Sequence, residues 1–180
     1  AVMKSSKSVT ELQDDISEME KMVKGYLDFA KGKEKGPVEP VNILDLFRSV
    51  AAGYRNHHDK IILRIPAGIS LPINAGLLRR AIGNIIDNAF RYAKHVDITA
   101  SVENKHVIII IDDDGCGIPP KKRDMVFRPF YRIDSSRNLE TGGVGLGLAI
   151  TRDIITSYGG DILLEDSPKK GLRVVLKLPL

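Results

Sequence analysis

Apolar residues at Val9, Leu12, Ile16, Met19, Val23, Tyr26 and Ala30 recur at alternating spacings of three and four. That rhythm predicts a helix with a narrow a/d seam over about three heptads, with Glu11, Asp14, Asp15, Glu18 and Lys21 facing outward. A single narrow seam needs a partner helix, which points to a two- or four-helix bundle formed across a dimer. The alternative is one amphipathic helix lying on its own domain. The run GKEKGPVEP from Gly32 to Pro40 breaks the pattern and reads as a linker. The chain thus divides into a helical segment over 1–32, a linker over 33–40 and a domain over 41–180.

The domain alternates the two periodicities. A short helix is predicted from Asn42 to Tyr54, with Asn42 placed as its N-cap and Leu44, Phe47, Val50 and Ala51 facing inward. His57 and His58 follow in a polar loop and read as solvent-exposed rather than as a metal pair. Lys60 to Ile65 reads as a strand. Asn74 caps a long helix from Ala75 to Ala93 with a core stripe of Leu78, Ile82, Ile85, Ala89 and Ala93, widened by Ile86 and Phe90. Val96 to Val102 and His106 to Asp112 are two strands, and the VIIII run of the second predicts a central, fully buried one. Pro119 and Pro120 start a short helix to Val126. Ile133 to Gly143 is a long polar loop of the kind that serves as a lid. A helix from Val144 to Tyr158 ends at Gly159 and Gly160, and strands Asp161 to Glu165 and Arg173 to Leu178 flank a turn around Pro168 to Gly171.

Composition narrows the class more than the chemistry. The 180 residues suffice for one domain with its own core plus an appendage. A 43% hydrophobic and 28% charged chain reads as globular and soluble. The single cysteine, Cys116, forms no internal disulfide, fits a reducing compartment, and reads as a small buried residue. No apolar run reaches the ~18 residues of a membrane span, and no signal peptide is visible. The net charge of +4 gathers between Lys121 and Arg137 without an aromatic-studded basic motif, which argues against nucleic-acid binding.

Three stretches carry candidate chemistry. TGGVGLGLAI, from Thr141 to Ile150, packs four glycines into the mouth of a helix. Glycine admits close backbone approach, and helix-start N–H groups favour anions, so phosphate is the natural guest; a flexible hairpin loop is the other reading. No Gly-Lys-Ser/Thr ends the run and no strand feeds it, which excludes a P-loop and a Rossmann fingerprint. Asn84, Asn88 and Arg91 share one face of the long helix, either as a polar strip toward a ligand or as an exposed surface. DDDGCG closes the VIIII strand with carboxylates that can bind a metal, accept from a base's amino group, or form a solvated turn.

Taken in order, these stretches resemble one family. NIIDNAFRY from Asn84 to Tyr92 is similar to the N box of sensor histidine kinases, DDGCG from Asp113 to Gly117 to the G1 box, FRPF from Phe127 to Phe130 to the F box, and GVGLGLAI from Gly143 to Ile150 to the G2 box. The resemblance runs from about Val41 to Leu180, and the preceding helix resembles the second helix of the dimerisation and histidine-phosphotransfer domain, with the osmosensor type the nearest in architecture. It implies an α/β sandwich, a mixed sheet of about five strands covered on one face by helices, preceded by a long bundle helix. It implies ATP and Mg²⁺ as ligands, with Asp113 accepting from the adenine amine and Asn88 offering its amide oxygen to Mg²⁺. Asn84, Arg91 and Arg132 would act on the phosphates and Tyr92 near the sugar or base. Gly115, Gly117 and Ile118 of the G1 turn and Gly143, Val144, Gly145, Leu146, Gly147 and Leu148 of the G2 run would complete the nucleotide site. Phe127 and Phe130 would anchor the lid.

The implied activity is transfer of the ATP γ-phosphoryl to a histidine and thence to a response-regulator aspartate, in the cytoplasmic portion of an inner-membrane sensor that dimerises through its bundle helix. The family's phosphoacceptor is a histidine followed by an acid and soon a proline, and none of His57, His58, His95 or His106 has that context. The first dimerisation helix is likewise not found, so a piece of such a kinase is expected. Two rivals share the resemblance. The gyrase- and chaperone-type ATPases activate water with an N-box glutamate, but Asn84 holds that place and no glutamate lies between Leu77 and Ala93. An anti-sigma-type serine kinase or a non-catalytic ATP-binding regulator is the other.

Overall fold

The computed structural model describes Ile16, Met19, Glu20 and Val23, then residues 37–133 and 144–180. Most of the bundle helix, residues 33–36 of the linker, and Gly143 with most of the lid loop lie outside the described residues. Ile16, Met19 and Val23 are helical and are 50%, 62% and 57% exposed, keeping the a/d spacing expected of them.

Strand β1 (Glu39–Asn42) pairs antiparallel with β3 (Ser70–Ile73) in a two-stranded sheet. Neither strand was anticipated. Both are four residues long and carry a proline, Pro40 facing Pro72, which erases an alternating signal and confines such strands to an edge. The expected linker therefore ends before Glu39. Helix α1 (Ile43–Ala51) begins at Asn42, whose side chain accepts from Asp45 N at 3.1 Å. It stops short of Tyr54, and a 3₁₀ segment (Arg55–Lys60) leads into β2 (Ile61–Arg64). His57 is not solvent-exposed as expected. It is partly buried, its ring stacked on Phe90 with centroids 4.4 Å apart.

Helix α2 (Ala75–Tyr92) is capped by Asn74, whose side chain accepts from Leu77 N at 2.9 Å. Strands β4 (Val96–Glu103), β5 (His106–Asp113), β6 (Asp161–Asp166) and β7 (Leu172–Pro179) join β2 in a five-stranded sheet ordered β2-β4-β5-β7-β6. Only β2–β4 is parallel, so the sheet is mixed as expected. Val96, Ile98, Val107, Ile109, Ile111, Val174 and Leu176 are buried on one face of the sheet, in one core with α1 and α2. β5 is central but is not fully buried. Ile108 and Ile110 are only partly covered, because among the described residues no helix packs on the opposite face of the sheet, where Leu163 is 50% exposed. In place of the short helix after Pro119, two 3₁₀ turns occur, Pro120–Lys122 and Met125–Phe127. Helix α3 (Gly147–Ser157) starts three residues later than the pattern suggests, since Gly145 has φ +74° and cannot continue a right-handed helix.

Candidate functional site

A cavity of about 590 Å³ opens between α2, the turn after β5 and the start of α3. Its framework is a set of side chain-to-backbone bonds. Asn84 Nδ2 donates to Gly147 O at 3.2 Å, and the fully buried Thr151 hydroxyl lies 2.9 Å from Gly147 O and 3.3 Å from Ala81 O. These bonds pin the first turn of α3 to α2. Gly145 lies just before the helix at φ +74°, and Phe130 N donates to Gly145 O at 2.9 Å. A Cβ on Gly145 would stand 2.9 Å from Phe130 C and 3.0 Å from Tyr131 O, so the backbones approach as closely as glycine alone permits. Leu146, the N-cap of α3, offers no polar side chain, which leaves the helix-start N–H groups for an anion.

Asp113 ends β5 at the other side of the cavity and is 7% exposed. Its Oδ1 accepts from Gly115 N at 2.8 Å and from Leu172 N at 3.0 Å. Among the described residues no donor reaches Oδ2, which leaves one directed acceptor in a largely enclosed wall. Burial pushes its carboxyl above the usual range; the two N–H bonds oppose that push, and neighbouring Asp114 and Asp112 add to it. Asp114 points away: it accepts from Lys94 N at 2.7 Å and His95 N at 2.9 Å, and its Oδ2 is 2.7 Å from His95 Nδ1. Asp112 lies on the other face of the sheet, held by Arg173 through two bonds of 2.9 Å. Of the three adjacent carboxylates, only Asp113 faces the cavity.

The structure brings together Asn84, Asn88, Arg91, Tyr92, Asp113, Gly117, Ile118, Arg132, Val144, Gly145, Leu146, Gly147 and Leu148 around this one cavity. Gly115 stands behind the wall rather than in it, donating to Asp113, and a Cβ there would come within 2.9 Å of Tyr92 O. Gly143 lies outside the described residues. Cys116 is exposed and lines the cavity, against the expectation of a buried residue, because the turn it occupies projects beyond the strand end. Phe127 packs against the core with Arg152 Cζ 5.0 Å from its ring centroid, while Phe130 is 49% exposed at φ +66°.

Nine lining residues were not among the expected site residues: Arg80, Asp87, Cys116, Pro119, Val126, Tyr131, Ile133, Ile150 and Leu172. Arg80 and Asp87 extend the Asn84–Asn88–Arg91 face at helical spacing, and that spacing could have found them. Leu172 enters from a hairpin distant in sequence, and no local pattern announces it. Among the described residues no group of His, Cys, Asp or Glu is arranged to hold a metal by itself, and no helix is long and apolar enough to cross a membrane. The donor set nevertheless fits a metal nucleotide. A lone carboxylate oxygen suits an exocyclic amine, uncapped N–H groups and arginines suit phosphates, and Asn88 would offer a neutral oxygen of the kind Mg²⁺ takes beside phosphate oxygens.

Comparison with known proteins gives the family and the fold. Residues 73–180 match the family described as histidine kinase-, DNA gyrase B- and HSP90-like ATPases. The sensor histidine kinase CpxA of Escherichia coli (strain K12) is 34% identical over 184 residues, covering 97% of this chain and 40% of CpxA, so the chain spans well under half of that relative. Full-length ShkA in complex with AMPPNP superposes with a TM-score of 0.76 at 25% identity, covering 98% of this chain and 39% of that one. The histidine kinase domain of the E. coli osmosensor EnvZ gives 0.62 at 29% identity, covering 82% and 92%. With its mixed five-stranded sheet, its Asp113 wall and its glycine-opened helix start, the chain belongs to the histidine kinase-, DNA gyrase B- and HSP90-like ATPase family, and its ATP-binding domain is of the histidine kinase type.

Proposed function

We propose that this chain is the ATP-binding catalytic part of a sensor histidine kinase. It would bind Mg·ATP in the cavity and deliver the γ-phosphoryl to a histidine supplied by a dimerisation helix, from which a response-regulator aspartate takes it. The observation that carries the reading is the orientation of Asp113. With Oδ1 occupied by two backbone N–H groups, Oδ2 accepts from the adenine amine and meets repulsion from the carbonyl that guanine carries there. Asn88 would hold Mg²⁺, which supplies charge neutralisation along the phosphates. Arg91 and Arg132 would contact phosphate oxygens, and Asn84, latched to Gly147 O, would fix the helix start against which the phosphates rest.

In the transfer the β–γ bridging P–O bond breaks, a P–N bond forms to the imidazole nitrogen, and ADP leaves with the bonding electrons. The imidazole is itself the nucleophile, so catalysis is positioning and charge stabilisation. The exposed seam of Ile16, Met19 and Val23 supports dimerisation through the bundle helix, and the reaction belongs on the cytoplasmic side, where ATP and the response regulator are found. Water activation of the gyrase kind is disfavoured by Asn84, an amide engaged with backbone, at the place of the activating acid.

The test is calorimetric titration of ATP with and without Mg²⁺ for the chain and for Asp113→Asn, followed by addition of a separate phosphoacceptor helical hairpin. Mg²⁺-sensitive binding lost in the variant, with label appearing on the hairpin's histidine, is the expected result. Label on a serine, or hydrolysis well above background without transfer, would refute the kinase assignment.

A further inference from the structure

The purine-recognising carboxylate depends on a turn from the far end of the chain. Leu172, whose N–H occupies Asp113 Oδ1, opens β7 directly after the turn over residues 167–171. That turn presses on the Asp113–Gly117 turn with no space between them. A Cβ on Gly171 would overlap Asp113 Oδ1 and the Asp113 carbonyl oxygen and would lie 2.5 Å from Gly115 N. A Cβ on Gly117 would stand 3.2 Å from Gly171 O.

The turn is fastened from the opposite side of the sheet. Lys169 Nζ lies 2.6 Å from Asp97 Oδ1, a contact of charge rather than of good hydrogen-bond angle, and Arg64 Nη1 donates to Asp97 Oδ2 at 2.8 Å. Asp97 is 6% exposed and pairs in register with Asp112, so two carboxylates face each other across β4 and β5. Like charges in that relation repel unless each has its own cation. Arg173 serves Asp112, and Arg64 with Lys169 serves Asp97. Burial pushes the Asp97 carboxyl up, yet the two cations hold it below the usual range.

Within the turn, Lys169 N donates to Ser167 Oγ at 3.1 Å, Ser167 N to Gly171 O at 3.0 Å and Lys170 N to Ser167 O at 2.9 Å. Lys170 sits at φ +72°, a conformation that a side chain disfavours. The Lys169–Asp97 pair ties this turn to the sheet from outside.

We propose that Lys169 and Asp97 are positioning residues for nucleotide binding: from the face of the sheet opposite α1 and α2 they fix the 167–171 turn, which keeps Leu172 N on Asp113 Oδ1 and turns Oδ2 to the purine. The proposal rests on the nucleotide reading above. Neither residue lines the cavity, so their effect is confined to the purine end and spares the phosphate end.

The experiment titrates ADP and, separately, tripolyphosphate into the chain and into Lys169→Met, Lys169→Arg and Asp97→Asn, with thermal melting to show which variants are folded. Lys169→Met is expected to weaken ADP about fivefold, the effect of loosening one hydrogen bond, while tripolyphosphate affinity stays constant. Lys169→Arg restores ADP binding, and Asp97→Asn repeats the Lys169→Met pattern. Unchanged ADP affinity in whichever of Lys169→Met and Asp97→Asn is folded overturns the proposal, as does an equal loss for both ligands. If the unsubstituted chain binds ADP and the variants bind it equally well, this inference alone falls. If the unsubstituted chain binds neither ligand, the nucleotide reading falls and takes this one with it.

Discussion

The Tyr54 hydroxyl donates to Asp87 Oδ1 at 2.7 Å, tying the segment after α1 to the cavity rim on α2. Burial, followed by the Asp87 carboxylate, pushes the phenol well above its ordinary value. A phenol whose folded value is raised contributes stability that is whole below the ordinary tyrosine range and is lost as pH rises through the folded value. Tyr54→Phe should therefore destabilise the fold by about 1 kcal/mol at neutral pH. In melting curves the gap between the two proteins should hold steady through neutrality and narrow only in strongly alkaline solution.

Asp113→Asn should separate binding from stability. The amide oxygen still accepts from Gly115 N and Leu172 N, but an amide NH₂ donor replaces the free acceptor toward adenine. ATP affinity should fall about tenfold or more, roughly the cost of leaving a buried donor facing a donor. Since the folded carboxyl is raised above its unfolded value, its contribution is present at low pH and lost as pH rises through that folded value. The variant should thus melt no lower than the parent at neutral pH, and acidification should favour the parent. Paired melting curves between acid and neutral pH, with calorimetry for ATP, check both halves.

Gly145→Ala and Gly68→Ala separate two costs of replacing glycine. Both glycines have positive φ, +74° and +85°, but a Cβ on Gly68 meets nothing within 4 Å while one on Gly145 strikes Phe130 and Tyr131 backbone. Gly68→Ala should cost about 1 kcal/mol from backbone conformation alone. Gly145→Ala should cost more and should also weaken ATP, because relief of the clash moves the start of α3. Equal melting shifts for the two would show that the close approach to Phe130 is unimportant.

Thr151→Val keeps the shape and removes the hydroxyl that joins α3 to α2 near Gly147 O and Ala81 O. The expected loss is about 1 kcal/mol, with a weaker response of ATP affinity than at Asp113. Chemical denaturation with an unchanged m-value is the appropriate measurement.

Long, well-capped elements were legible in the sequence because each announces itself locally. Asn42 and Asn74 cap where their side chains have an amide to receive, and the stripe of Leu78, Ile82 and Ile85 repeats over 18 residues. β1 and β3 were not legible, because four residues with a proline carry no period and their pairing is decided across the chain. The site divides the same way. Residues in the compact runs at Asn84, Asp113 and Gly145 could be read off, whereas Leu172 and the interlocking of Gly171 with Asp113 are products of topology. The partial exposure of Ile108 and Ile110 was missed for a related reason: an apolar run states what a strand tolerates, while the number of layers stacked on it sets what is covered.

The bond between Leu172 N and Asp113 Oδ1 joins positions 59 apart in the chain, and this has a consequence for the order of assembly. β4, β5 and α2 can meet early, but the wall around Asp113 is unfinished until the last hairpin has docked along β5. Nucleotide competence should then be acquired late in folding, once contacts this far apart in the chain have closed. A ligand that binds only the finished wall draws its stabilisation by mass action from that final docking step. Nucleotide concentration should consequently act on the C-terminal hairpin first, quieting its local opening before it changes the melting of the rest.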